Sequence, residues 1–173
     1  MTVIYPESTP VLGNVKVKAA IAVSDLTAPK LATEINAATS VDLSCAFMAS
    51  GWTPTTTQGK GTKMRRLCST ADVEQLNPAL HQVGTLLYSV GDPQSPESDI
   101  ADLMVEGAKL YLVERLGLDA EDPFAATQKV QTHYVQLGKP YKIYDTTADN
   151  GEFHMGVEAV YVNRGPVDGV IAA

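Results

Sequence analysis

Two cysteines among 173 residues, Cys45 and Cys68, are too few for a disulfide framework. Neither has a CxxC partner or a nearby histidine, so nothing in the chain spells a zinc site. Two reduced, inert thiols are expected, with one disulfide or redox pair as the alternative. Cations are also in deficit: 13 Lys and Arg face 20 Asp and Glu, a net charge of −7. Clustered Lys and Arg are what neutralise phosphate, so nonspecific affinity for nucleic acid or an anionic membrane is disfavoured. No apolar run approaches the ~20 residues of a membrane helix. The opening MTVIYPESTPVLGN lacks the basic and apolar regions of an export signal, which points to a cytoplasmic origin.

Catalytic signatures are missing as well. No GxSxG, GxGxxG or HExxH pattern occurs, and His81, His133 and His154 stand far apart on expected strands without metal-ligand spacing. They are expected on polar or interfacial sides. QGKGTK is not a P-loop, because Lys60 is followed by Gly61 where Ser or Thr is needed and no strand-to-helix setting surrounds it. Asp145, Asp149, Asn150 and Glu152 do not fit the frame of a calcium loop, and Asn150-Gly151 is instead a hairpin signal. No catalytic residue, metal or cofactor is expected, and the chain does not read as an enzyme.

What the chain does contain is enough for one domain with a good core, since a chain of about 150 residues buries roughly 70% of its unfolded surface. The least ambiguous local signal is residues 95–107, SPESDIADLMVEG. Ser95 can cap, Pro96 suits the first turn, Glu97 and Asp99 complement the dipole, and Gly107 offers a left-handed stop. Ile100, Leu103 and Met104 form one apolar stripe, which needs a sheet to lie on.

The surroundings read as strand. Residues 15–23 begin with alternation and turn apolar, and residues 41–48 alternate Val41, Leu43, Cys45 and Phe47 with polar or small neighbours. Thr27 is expected to cap a helix to Asn36, and residues 69–77 to make a helical turn before Pro78. Strands follow at 81–90 and 108–116, then at 129–145 with a bend at Gly138 and Pro140. At 152–163, Phe153, Met155, Val157, Ala159 and Tyr161 form a core face opposite His154, Gly156 and Glu158. Residues 1–14 and 164–173 have no period and read as arms.

Residues 50–66 break this pattern: Gly, Thr and Pro dominate, with four cations at Lys60, Lys63, Arg65 and Arg66. A loop or extended hairpin of this length is usually functional or disordered. On an acidic body it suits a neighbour's acidic face, while a solvated loop without a partner is the plainer alternative.

In layout, and in the wording of KVKAAIAVSDLTAPKLATEIN and KGTKMRRLCSTADVEQLNP, the chain resembles the major tail tube proteins of long, flexible-tailed bacteriophages, particularly those of actinobacterial hosts. The resemblance implies a mainly β fold, a β-sandwich or partial barrel flanked by a short helix. It implies a structural virion protein whose copies close into rings, of six by expectation, stacked into a tail tube that conducts DNA. The implied inter-ring contacts are Trp52, Lys60, Lys63, Arg65 and Arg66 of the loop, with Val3, Ile4, Tyr5, Val167, Val170 and Ile171 of the arms. Asp42, His154 and Glu158 are the lumen-facing candidates. The implied partners are further copies of the chain, the tape measure protein, terminator and tip proteins, and DNA in transit without specific binding; no membrane is involved. A soluble β-rich binding module, or a tail terminator or head-tail joining protein of related fold, is the alternative.

Overall fold

A computed structural model describes residues 10–62, 74–89, 99–143 and 154–173. Their strands are β1 (Val15–Ala20), β2 (Val41–Asp42), β3 (Thr55–Thr57), β4 (Lys60–Thr62), β5 (Glu74–Leu76), β6 (Leu80–Gln82), β7 (Gly84–Ser89), β8 (Lys109–Leu116), β9 (Lys129–Leu137), β10 (Tyr141–Ile143), β11 (His154–Tyr161) and β12 (Val167–Val170). Among the described residues helix is confined to α1 (Asp99–Leu103) and one π-helical turn at Leu31–Ile35. The main sheet is antiparallel and eight-stranded, in the order β10-β11-β9-β8-β1-β2, with β12 beside β9 and β7 beside β11.

The two ends of this sheet are joined. Leu43 N–H donates to Val17 of β1, and a few residues on Met48 N–H donates to Leu87 of β7, 2.9 and 3.0 Å respectively. Ser89 N–H returns a bond to Ala46, Leu87 N–H returns one to Gly51, and Phe47 bridges Tyr88. Residues 43–51 thus close the curled sheet into a partial barrel and cover edges that would otherwise be open. The approach leaves room only for glycine at position 51, where a Cβ would sit 2.1 Å from the Leu87 carbonyl oxygen.

The barrel interior holds Val17 and Ala19 of β1, Leu86 and Tyr88 of β7, Leu110 and Leu112 of β8, Val135 and Leu137 of β9, and Val157 and Ala159 of β11, all buried. Alternation in β1, β8 and β11 places them there, because successive strand residues face opposite ways. α1 lays Ile100 and Leu103 against this core and Met104 enters it, so the stripe read at 95–107 is the one used. The chain then leaves the helix and turns at Gly107, φ +81°. Residues 90–98, including the Ser95 cap, lie outside the described residues. A second, smaller core covers the outer face of β8 and β9: Ile35, Val113, Phe124, Val130 and Ile171.

Several expectations are corrected. Residues 41–48 are a strand only at β2, because Asp42 Oδ1 accepts from both the amide and the hydroxyl of Ser44, at 3.0 and 2.6 Å, and turns the chain. Thr27 is no helix cap; its hydroxyl donates to Asp25 at 2.7 Å, and the π turn starts at Lys30. Glu74–Leu76 is strand where a helical turn was expected. The run 81–90 divides into β6 and β7, which pair with different partners, β3 and β11. Residues 164–173 are no free arm: β12 adds to β9 in register, Val167 opposite Thr132, and Ala172 bridges Lys30. The break at 138–140 separates β9 from β10 as expected, and Ile143 opposes His154 in the antiparallel pair that follows. The Asn150-Gly151 turn itself lies outside the described residues.

Candidate functional site

Residues 55–62 and 74–82 leave the barrel as a two-stranded ribbon. Thr55 opposes Gln82 and Thr57 opposes Leu80; further out, Lys60 opposes Leu76. The two halves are joined by Asn77 N–H donating to Gly59 at 2.9 Å and the Gln58 amide donating to Asn77 at 3.0 Å. Of the ribbon residues whose side chains are described, all but Gly61 and His81 are exposed. A ribbon with no buried face of its own is marginal in water.

Its root is held by an aromatic and ionic chain. The Phe47 and Trp52 rings stack with centroids 5.7 Å apart, and Trp52 meets His133 edge-on at 4.9 Å. His133, fully buried, lies 3.2 Å from a Glu114 carboxylate oxygen through Nε2 and 2.8 Å from the Tyr161 hydroxyl through Nδ1. Tyr161 in turn faces His81 of β6, whose Nδ1 is 2.9 Å from the Thr56 hydroxyl. Burial, and secondarily the Glu114 charge, pushes the Tyr161 phenol up to about 12, so it stays protonated and able to hydrogen-bond. His133 was expected on a polar or interfacial side. It is buried because Glu114, on the inward face of β8, supplies the polar partner that burial requires. Two strand residues with no sequence spacing between them give no signal of such a pair. The Trp52 indole N–H is buried and has no hydrogen-bond partner among the described residues.

One end of the barrel is apolar and open. Val11, Leu12, Val15, Val17, Phe47, Trp52 and Leu116 line a cleft of about 410 Å³. A second cleft, of about 580 Å³, shares Glu114 and Leu116 with it and reaches Val170 of β12. The loop after Leu116 is braced from below by two buried cations. Lys16 Nζ donates to the Ala120 carbonyl at 2.6 Å, and the Arg115 guanidinium donates to the carbonyls of Asp119 and Pro123 and to Gln128 Oε1, with its carbon 5.3 Å above the Phe124 ring. Nothing in the sequence signals the burial of Arg115.

Strand register puts Asp42, His154 and Glu158 on the outer side of the sheet but not on one open surface: between Asp42 and the other two, Val113 lies in the second core and Thr132 is buried. Asp42 opposes Lys18, Lys18 opposes Val113, and Val113 opposes Thr132. Four residues along β9, Gln136 opposes Val160, and Glu158 and His154 follow at alternate positions of β11. Asp42 pairs with Lys16 Nζ at 3.0 Å. Burial alone would raise its carboxyl, but the Ser44 and Lys16 bonds outweigh it and hold the pKa below the ordinary value. Glu158 is exposed and accepts from the Thr85 hydroxyl at 2.5 Å. His154 is half-buried, with Nδ1 unpartnered among the described residues.

Of the other candidates, Lys60 is exposed on β4 and Trp52 half-buried at the ribbon root. Val167 is half-buried and Val170 exposed on β12, whereas Ile171 is buried in the second core of its own subunit. Val3, Ile4, Tyr5, Lys63, Arg65 and Arg66 lie outside the described residues, as does Cys68. Cys45 is a free, exposed thiol. Among the described residues there is no cluster of three metal-binding side chains, and no helix is long and apolar enough to cross a membrane.

No curated protein matches the chain. Among solved structures it is similar to a chain of the cryo-EM structure of the anti-feeding prophage (AFP) baseplate, 6-fold symmetrised. The TM-score is 0.53 and the identity 12%, over 94% of this chain and 97% of that one, which is a likeness of fold. The family model described as phage tail tube protein matches residues 2–173. The chain therefore belongs to the phage tail tube proteins, non-enzymatic structural components that form the tail tube of the virion.

Proposed function

We propose that copies of this chain close into rings of six, which stack into the tube of a long, flexible tail, and that the ribbon of residues 55–62 and 74–82 crosses from one ring to the next. The observation that carries this reading is the ribbon itself: two strands whose described residues are almost all exposed, on a barrel whose sheet ends are already joined. Pairing or packing with a sister copy supplies the missing buried face. Lys60 on the ribbon, followed in the sequence by Lys63, Arg65 and Arg66, concentrates cations in a chain whose net charge is −7. Val167, Val170, Val3, Ile4 and Tyr5 are the apolar residues assigned to further inter-ring contacts, Ile171 being taken up by its own subunit's core, and Trp52 anchors the ribbon root.

The face carrying Asp42, His154 and Glu158 lines the lumen in this reading. Glu158 contributes an exposed negative charge to that wall, whereas Asp42 is paired with Lys16 and stands opposite Lys18; each lysine pointing inward would add a phosphate contact and slow transit. The tape measure protein occupies the lumen during assembly and DNA during ejection, with terminator and tip proteins at the two ends. An actinobacterial host follows from the wording of residues 16–36 and 60–78 alone.

Deleting residues 57–63 tests the ribbon's role. The expected product is a folded subunit, by circular dichroism, that forms no tubes in negative-stain microscopy; normal tubes from the deletion refute it.

A further inference from the structure

Two apolar surfaces of this subunit are exposed at the same time. At the open end of the barrel Val11, Leu12 and Leu116 are 73%, 74% and 63% exposed around the cleft floored by Val17, Phe47 and Trp52. On the ribbon, Leu76 of β5 and Leu80 of β6 are 60% and 56% exposed, on either side of Asn77 and Pro78. Among the described residues neither surface covers the other, and proteins rarely leave contiguous apolar clefts of this kind unoccupied. The Leu76–Leu80 stretch can enter such a cleft without stranding a donor at its centre: Pro78 has no N–H, and the Asn77 N–H is already bonded to Gly59.

We propose that the cleft of Val11, Leu12, Leu116 and Trp52 is the receptor for the Leu76–Leu80 flank of a second copy's ribbon. The leucines enter the apolar cleft. The inference rests on the tube reading above and adds the receiving surface to it. A contact between two different patches is heterologous, so each copy that receives a ribbon still presents its own. Such a contact propagates instead of stopping at a dimer.

The test uses the full chain with two single variants, Leu116→Glu at the cleft and Leu80→Glu on the ribbon. Both sites are exposed in the subunit, so each variant keeps the wild-type circular dichroism spectrum. A charge forced into a desolvated contact is costly, and each variant alone raises the concentration needed for tube formation at least about tenfold. Mixed together, the two retain one intact contact, Leu116→Glu contributing its ribbon and Leu80→Glu its cleft. They form small mixed complexes by sedimentation, but no tubes. An independent measurement does not depend on lost assembly. Leu12→Cys with Leu80→Cys, in a chain carrying Cys45→Ser and Cys68→Ser, gives on oxidation of assembled tubes a ladder of covalent oligomers. Leu116→Glu polymerising at the wild-type concentration, or intact tubes without the ladder, overturns the receptor assignment and leaves the tube reading standing. A wild-type chain that never polymerises overturns the tube reading itself.

Discussion

Glu34→Gln is an isosteric change with a large expected cost. Glu34 is buried within the π turn, and its two carboxylate oxygens take three donors: the Ser24 amide and hydroxyl on Oε1, at 2.9 and 2.6 Å, and the Lys30 amide on Oε2, at 2.9 Å. These bonds tie the chain after β1 to the start of the turn that carries Ile35 into the second core. A glutamine has one oxygen for two positions. Its best orientation keeps the Ser24 bonds and points an NH₂ at the Lys30 N–H, donor against donor. Losing one charge-assisted bond costs about 1.5–3 kcal/mol, and the two that remain are weakened with the charge gone, so a total of about 2–3 kcal/mol is expected. In urea denaturation of dilute, unassembled subunit, with a slope of about 2 kcal/mol per molar, the midpoint falls by roughly 1 M. The pH dependence gives a second check. Burial alone would raise the Glu34 carboxyl, but the Ser24 and Lys30 hydrogen bonds outweigh it and hold the folded value below that of a free glutamate. A depressed carboxyl stabilises fully above the unfolded value of about 4.3 and loses that contribution as pH falls through the folded value. The gap between wild type and Glu34→Gln is therefore constant near neutrality and narrows below about pH 4. Equal midpoints at pH 7, or a gap unchanged at pH 3, refutes the reasoning.

Gly51→Ala forces a methyl into the Leu87 carbonyl where residues 43–51 close the sheet, and should cost about 2 kcal/mol or more in thermal or urea unfolding. An unaffected melting curve would mean that the closure is looser than described. Arg115→Ala removes the donors that satisfy Asp119 and Pro123 and leaves a cavity under Phe124; a loss of about 3 kcal/mol is expected by the same measurements. Glu158→Lys should leave tube assembly intact by microscopy and slow DNA ejection in virions, and unchanged ejection kinetics would remove Glu158 from the lumen wall.

How much of this was legible in the sequence depended on whether one element decided its own structure. β1, β8 and β11 were readable because alternate residues enter one core, and the Ile100–Leu103–Met104 stripe because a helix must bury a single face. Residues 43–48 misled because VDLSCAFM alternates like a strand, yet the Asp42–Ser44 hydrogen bonds are worth more locally than continued pairing. The C-terminal strand was invisible for another reason. Gly169, which reads as a breaker, is there because the Thr27 carbonyl oxygen packs 2.6 Å from where its Cβ would be, a contact set entirely by tertiary structure. Of the assembly surfaces, the Gly/Thr/Lys excursion was conspicuous by composition. The cleft was not, since Val11, Leu12, Leu116 and Trp52 come from three separate stretches and converge only in the fold. The same holds for the Glu114–His133 pair.

Arg115 and Lys16, reaching up from the sheet into the carbonyls of residues 119–123, have an effect on more than stability. The segment just beyond Leu116 is also pinned by Gly117 N–H donating to Asn14 and Ala120 N–H to Gly13. The rim of the open end, Leu12 and Leu116 included, is thereby preorganised. Little conformational entropy remains to be lost there when a surface is covered, so that freedom is surrendered once, during folding of the monomer, and not again at every addition to a growing polymer.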